Sequence, residues 1–461
     1  MTTHPVIRIK GLVFGTIAGC LILAACKPRS QDGIALVGAT LIDGTGGPPL
    51  ADAAILVRRG KVESIGPRSG FELPRGINQV DVSGRWIIPG LIDAHAHLAQ
   101  AAGWAPARYL AWGVTTVRDM HGPLNSVISV RRRSNTQSSG SPRVYAAGAM
   151  IDGLPTTYPD AIGVNSEQDA RRAVDRLVSG GVDFIKVYTH IDPPLLRAIL
   201  DEAHTFNVAV AGHLGMTDAL TAAKDGISSI EHLTGVPEAI SRERSSLVAA
   251  HYRGFFPGWT AFERSWADLD SAALTALAAR LAQERVTLVP TLILHETLSR
   301  LDDPAILQDS ALQDVPEDAR REWDVPGMIS RAGWDSADFT AFRQSRRMQN
   351  LFVRAFVAAG GRIATGTDSP NQLLVPGYSE HRELELLVAA GISPREALRT
   401  ATRNAAVLLG VDSLGLIAPG KAADLIVLTR NPLTDIRNTR SIQTVMSRGH
   451  LLDVDSIRAT W

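Results

Sequence analysis

The 461-residue chain balances 47 Lys and Arg against 47 Asp and Glu, with 45% hydrophobic and 20% charged residues. That is a globular composition, long enough for one large domain or two medium ones. Its neutrality excludes a nucleic-acid surface built on net positive charge, and the densest basic cluster, Arg131, Arg132 and Arg133, reads as a solvated helix face.

At the N-terminus, Arg8 and Lys10 precede an apolar run over residues 11–25, followed by Cys26. The run is shorter than the roughly 20 apolar residues a membrane span needs. A basic start, a short apolar middle and small residues before a break predict a secretory signal peptide over 1–25. Leu23-Ala24-Ala25-Cys26 resembles the lipobox of bacterial lipoproteins, in which the cysteine becomes the lipidated first residue. Lys27 stands where an aspartate would resemble an inner-membrane retention signal, so the resemblance implies a periplasm-facing lipoprotein of the bacterial outer membrane. Its only membrane contact would be the lipid on Cys26; a signal cleaved without lipidation and a retained anchor helix are the alternatives. Cys20 and Cys26 are the only cysteines. Cleavage before Cys26 leaves no pair for an intrachain disulfide and no thiol nucleophile.

Residues 26–33 are polar and aperiodic and read as a tether. From Ile34 the pattern is short and strand-like: Ile34–Ile42, a Gly/Pro turn over Gly44–Pro49, then Ala53–Val57, Gly60–Gly66 and Gln79–Ser83. Turn residues at these short intervals predict a small antiparallel sheet over 34–85. After Pro89, apolar strands alternate with longer helical patterns, as in repeated β/α units. Eight strands are predicted: Trp86–His95, Val114–Met120, Arg143–Ala149, Asp183–Tyr188, Asn207–His213, Ile227–His232, Thr287–Leu292 and Arg362–Asp368. Helical patterns such as Glu167–Ser179, Leu195–Phe206 and Ser271–Glu284 lie between them. Eight parallel strands with crossover helices close into a (β/α)₈ TIM barrel, here over 86–412. Residues 413–461 return to strands, and the simplest pairing is with the N-terminal ones. The expected fold class is therefore α/β, a TIM barrel with a small β-sandwich domain built from both chain ends. Two connections exceed a minimal barrel, Met150–Asn165 and Thr297–Asn350, and are predicted to shape the mouth of the site. The second holds Trp323, Trp334, Phe339 and Phe342.

Barrel enzymes gather reactive residues at the C-terminal ends of their strands. The first predicted strand ends in Asp93-Ala-His95-Ala-His97. Residues two apart on a strand face the same side, so both imidazoles can address one point, although an H-x-H triplet alone is a weak signal. The fourth strand ends in Lys186-Val-Tyr188, the fifth in Gly-His213, the sixth in Glu231-His232 and the eighth in Gly-Thr-Asp368. Four histidines, one lysine and one aspartate thus share one rim. No glycine-rich phosphate loop and no Ser/His/Asp hydrolase ordering competes with them.

With Pro89–His97, Gly113–Arg118, Phe184–Tyr188, Ile230–Leu233, Gly366–Asp368 and Pro419–Leu425 taken together, the chain is similar to the amidohydrolase superfamily. Within it, the chain most resembles the imidazolonepropionase-related and prolidase-like (Xaa-Pro dipeptidase-like) group, from Ile34 to Leu452. The resemblance implies a metal-dependent hydrolase of carbon–nitrogen bonds. It places His95, His97 and Asp368 on a buried first metal ion and His213 and His232 on a second, with Lys186 bridging both as a carbamate. Imidazole and carboxylate suit Zn²⁺. A plain ammonium would be repelled by two cations, whereas a buried lysine deprotonates readily. On this reading a hydroxide between the metals attacks the substrate carbonyl, and Asp368 is both ligand and acid/base.

The implied substrate is a small molecule, a dipeptide or an N-acyl amino acid. Tyr188 is read as a substrate contact or oxyanion stabiliser, with packing as the alternative, and His295 as a pocket residue or a loop histidine. His121 carries the same ambiguity as His295. Asp93 either orients His95 or His97 or ends its strand. Glu231 is read as an outer-face partner, and His190, His204, His251, His381 and His450 as surface or structural. Competing readings are a lactone, ester or cyclic-amide hydrolase, a mononuclear deaminase (against which Lys186 argues), and a non-catalytic periplasmic binding lipoprotein. The loop Asp152–Asp160 lacks the Gly/His-rich pattern that prolidase-like members often carry, which leaves peptide specificity open. Monomer and homo-oligomer also stay open.

Overall fold

The computed structural model describes residues 33–136 and 140–461. The signal peptide and Cys26 lie outside these residues. Among the described residues no helix is long and apolar enough to cross a membrane.

Eight parallel strands form a TIM barrel: Leu91–Ala96, Val114–Asp119, Arg143–Ala146, Phe184–Val187, Ala209–Gly212, Ser229–Glu231, Thr287–Val289 and Arg362–Ile363. Ladders join the first three strands and the last five. Backbone hydrogen bonds complete the ring. Asp183 N–H donates to Ala146 O at 2.9 Å between the third and fourth strands. Ala94 N–H donates to Thr365 O at 2.9 Å, and Asp368 N–H to His95 O at 2.7 Å, between the first and the eighth. Each strand is covered by helices outside and side chains inside, which is why the strands read as nearly unbroken apolar runs.

The run Trp86–His95, predicted as one strand, is two. Trp86–Pro89 pairs antiparallel with Leu425–Leu428, while Leu91–Ala96 opens the barrel. Gly90 is the break. Its N–H donates to Asp424 O at 2.9 Å, and a Cβ there would meet Thr115 Oγ1 at 2.3 Å, so the chain can switch sheets here only without a side chain.

The other sheet runs His450–Leu452, Ile442–Ser447, Leu425–Leu428, Trp86–Pro89, Ile34–Leu41, Leu50–Arg58 and Lys61–Pro67, with Asn78–Asp81 also paired to Ile34–Leu41. Strands from the two chain ends therefore share one sheet, the C-terminal three meeting the N-terminal ones where Leu425–Leu428 pairs with Trp86–Pro89. It curls until its far edge returns to residues 420–423, with Val62 N–H donating to Lys421 O at 2.9 Å. Leu36, Ile55, Ile87, Leu425, Val427 and Met446 fill its core.

Three connections extend the barrel mouth, one more than the sequence predicts. Residues 150–165 carry two short parallel strands, Ile151–Gly153 and Ile162–Val164. The sixth strand is followed by helices Val236–Ile240, Arg244–Tyr252 and Phe255–Ser265 before the crossover helix Ser271–Gln283. The third extension lies beyond the seventh strand, where Trp334, Phe339 and Phe342 pack on one another at 5.4–6.2 Å instead of facing the cavity.

Candidate active site

At the C-terminal ends of the strands, a cavity of about 600 Å³ is lined by His95, His97, Lys186, His213, His232 and Asp368. Donor atoms of His95, His97 and Asp368 lie within 4.8 Å of one another. His95 Nε2 and His97 Nε2 stand 3.2 and 2.9 Å from Asp368 Oδ1. The His232 ring is 4.3 Å from that of His95 and 4.9 Å from that of His213. The six sequence-predicted residues therefore form one continuous group on the rim.

Neighbouring side chains fix how these rings face. His95 Nδ1 is 2.7 Å from Glu231 Oε2, and His232 Nδ1 is 2.7 Å from Thr291 Oγ1. With one nitrogen of each ring engaged, the other is left for the cavity, an arrangement typical of metal-binding histidines. Glu231 is thus an interior residue and not the outer-face partner that alternation suggests. The reason lies in the backbone: His232 and Leu233 are left-handed, at φ 56° and 58°. Alternation stops there, so Glu231 and His232 both serve the site. Arg118 completes the arrangement, donating to Glu231 Oε1 at 3.2 Å and lying 4.3 Å over the Phe184 ring. Asp93 does not touch the imidazoles. It accepts from Thr367 Oγ1 at 2.6 Å and from His95 N–H at 3.2 Å, tying the eighth strand to the first.

The electrostatics sort the group. Burial pushes the Asp368 carboxyl up, but hydrogen bonds from His95 and His97 hold it well below the usual carboxylate range, so it is an anion. Burial, reinforced by Lys186 beside His213 and by His95 beside His232, holds both rings well below the ordinary histidine range, so they are neutral and free to donate lone pairs. Lys186 is 2% exposed and its Nζ has no hydrogen-bond partner among the described residues. Burial draws its pKa down to about 8, against the pull of Glu231. An orphaned, readily deprotonated amine among four imidazoles and a carboxylate is a poor structural lysine and a good site for CO₂ addition. The donor set fits divalent metal ions of the zinc type.

Tyr188 lines the cavity, its ring 4.5 Å from that of His213. His295 does not line it. Its Nδ1 is hydrogen-bonded to Glu263, its Nε2 lies 3.1 Å from His232 O, and its ring stacks on Trp259 at 5.4 Å. It therefore supports the backbone of His232 from behind, which excludes it as a substrate contact. His121 does line the cavity and lies 3.0 Å from Asp160. His190, His251 and His381 are buried structural residues. Both ring nitrogens of His190 face carbonyls, Pro155 O at 2.6 Å and His251 O at 2.7 Å, joining two of the mouth segments. Sequence reasoning missed Arg118, Thr291 and the helix of Phe255, Phe256 and Trp259. A mid-strand arginine beside a motif was one available signal, because a charge there must be paired. The stretch from Glu231 to Thr287, too long for a simple crossover, was another.

The sequence profile described as "Amidohydrolase family" matches residues 86–452. Similar proteins include imidazolonepropionase of Cereibacter sphaeroides, 27% identical over 414 residues (84% of this chain, 91% of the relative). That of Pseudomonas putida is 26% identical over 410 residues (84% and 90%). Among solved structures, a putative prolidase from Bifidobacterium longum superposes with TM-score 0.67 at 25% identity, covering 93% of this chain and 98% of its own. A bottromycin amidohydrolase gives TM-score 0.69 at 23% identity, covering 93% and 89%.

Proposed function

The chain belongs to the amidohydrolase family, and from that premise we propose that it is a binuclear, zinc-dependent hydrolase of amide bonds in dipeptides or N-acyl amino acids. As in that family, it is a metal-dependent hydrolase acting on carbon–nitrogen bonds. The observation that carries the two-metal reading is Lys186, which lines the same cavity as the other donors and whose buried Nζ has no hydrogen-bond partner among the described residues. As a carbamate it would be an anion instead of a cation and would add a carboxylate-like ligand for the ions. His95, His97 and Asp368 would hold one ion, His213 and His232 the other. Such ions, when bound, supply Lewis acidity and a water acidified towards neutrality.

The protein's own groups do the rest. Glu231 and Thr291 keep the His95 and His232 rings oriented. Asp368, ionised and within reach of both His95 and His97, takes a proton from the attacking water and returns it to the leaving amine. Tyr188, which lines the cavity beside His213, would donate its hydroxyl to the carbonyl oxygen as charge develops there.

Metal analysis of the purified chain, coupled to hydrolysis of dipeptides, N-acyl amino acids and lactones, tests this reading. Two metals per chain and turnover of an amide are expected. One metal with deamination would remove the two-metal reading. Inactivity on every amide would remove the substrate class.

A further inference from the structure

The cavity is chemically two-sided. Towards the first and eighth strands its lining is polar, with Gln100, Asn371 and Gln372. Towards the fifth and sixth it is aromatic. Phe255, Phe256 and Trp259 come from one face of helix Phe255–Ser265, where residues four apart stand one above the other. Phe255 stacks on Trp259 at 5.8 Å and 26°, and Trp259 stacks in turn on His295, which is itself held by Glu263. The wall is therefore rigid from behind. Tyr158, on the segment after the third strand, approaches Phe255 at 6.0 Å and Tyr188 at 5.6 Å, joining the wall to the rim.

The apolar surface continues outward. Leu154, Tyr158 and Tyr252 are 53%, 37% and 55% exposed. His190 joins the segments that carry them, through Pro155 O and His251 O. Of these exposed side chains, Tyr158 lines the cavity, so its half-open ring is surface that a bound apolar group would cover.

We propose that this wall is a specificity subsite and that the preferred substrate carries a large apolar, preferably aromatic, group beside the scissile bond. The group would lie over Phe255 and Phe256, on the His213 and His232 side of the centre. This inference rests on the amide-hydrolase reading above. Stacked rings discriminate by shape and buried area, so the wall would reject small and acidic groups and accept leucine less well than phenylalanine.

The test uses the full, metal-loaded chain with two dipeptide series, X-Ala and Ala-X, where X is Ala, Leu, Phe or Asp. In one series kcat/KM should rise from Ala through Leu to Phe by about tenfold or more, with Asp lowest. Phe255→Ala should cut the Phe-over-Ala ratio by about tenfold, mainly through KM. Phe255→Leu, which keeps bulk, should fold in either case and give a smaller cut. A preference for Ala or Asp in both series, or variants that slow every member equally, would overturn the subsite. Calorimetric binding of N-acetylphenylalaninamide against N-acetylalaninamide separates the two inferences. Tighter binding of the phenylalanine compound without turnover of any amide would overturn the hydrolase reading alone. Turnover without preference would overturn the subsite alone, and neither turnover nor preference would overturn both.

Discussion

Glu231 holds two partners at once, the His95 ring and the Arg118 guanidinium, and is fully buried. Glu231→Gln would strand the buried guanidinium, at a cost of about 3–5 kcal/mol. Loss of the anchor on His95 should also weaken metal binding by about 10–100-fold. Chemical denaturation and metal titration read the two effects separately. Burial pushes the Glu231 carboxyl up, but Arg118 and His95 more than reverse this and hold it at about 2, against an ordinary 4.5. The folded value lies below the unfolded one. Its stabilisation is therefore complete above pH 4.5 and is lost as pH falls from 4.5 towards 2. Wild type should accordingly lose its advantage over Glu231→Gln in that window, as followed by acid titration of thermal midpoints. Asp368→Asn should lower kcat by about 10²–10⁴-fold while metal content falls far less. Near-normal turnover in that variant would remove Asp368 as the acid/base.

Helix Leu292–Ser299 shows how one element supports the site from outside it. Its N-cap, Thr291, is left-handed at φ 45° and provides no side-chain cap. Glu383, from helix Tyr378–Ala389, supplies one, accepting from Ile293 N–H at 2.7 Å. Burial pushes the Glu383 carboxyl up to about 8, only partly offset by the backbone donors of Ile293 and Leu292. Here the folded value lies above the unfolded one, so the group penalises folding increasingly from pH 4.5 to 8. Glu383→Gln should be close to neutral at pH 4 and should raise the thermal midpoint at pH 8, a gap that calorimetry across pH would reveal. Elements also differ in how legible they were. The eight barrel strands were readable because strands buried on both sides are short apolar runs set between longer helical periods. The Gly90 break was not, because it depends on the Thr115 hydroxyl, a contact from another strand. Glu231 was misread because left-handed residues end alternation without leaving a pattern in sequence. The aromatic wall was hidden because helix Phe255–Ser265 buries one face and exposes another, and sequence alone does not say which face meets the cavity.

Across the whole molecule, the rim site joins donors from five strands, and any bound metal links those strands to one another. Chelation should lower the thermal midpoint of the full chain, and restored metal should return it, because a ligand that binds only the folded state stabilises it by mass action. The two chain ends are equally interdependent. Removing residues 413–461 would strip Leu425–Leu428 from Trp86–Pro89 and leave Ile87 and Ile88, now 1% and 0% exposed, on an open sheet edge. The truncated chain should be insoluble or unfolded by circular dichroism; an active truncated barrel would contradict this. Pairing between the ends also imposes an order in time. Ile88 is made early and its partner Ile426 late, and at about 5–20 residues per second the wait on the ribosome is on the order of tens of seconds. Throughout that wait the strand leading to His95 and His97 has one edge unpaired. The first two histidines of the site are thus synthesised early and fixed in place among the last.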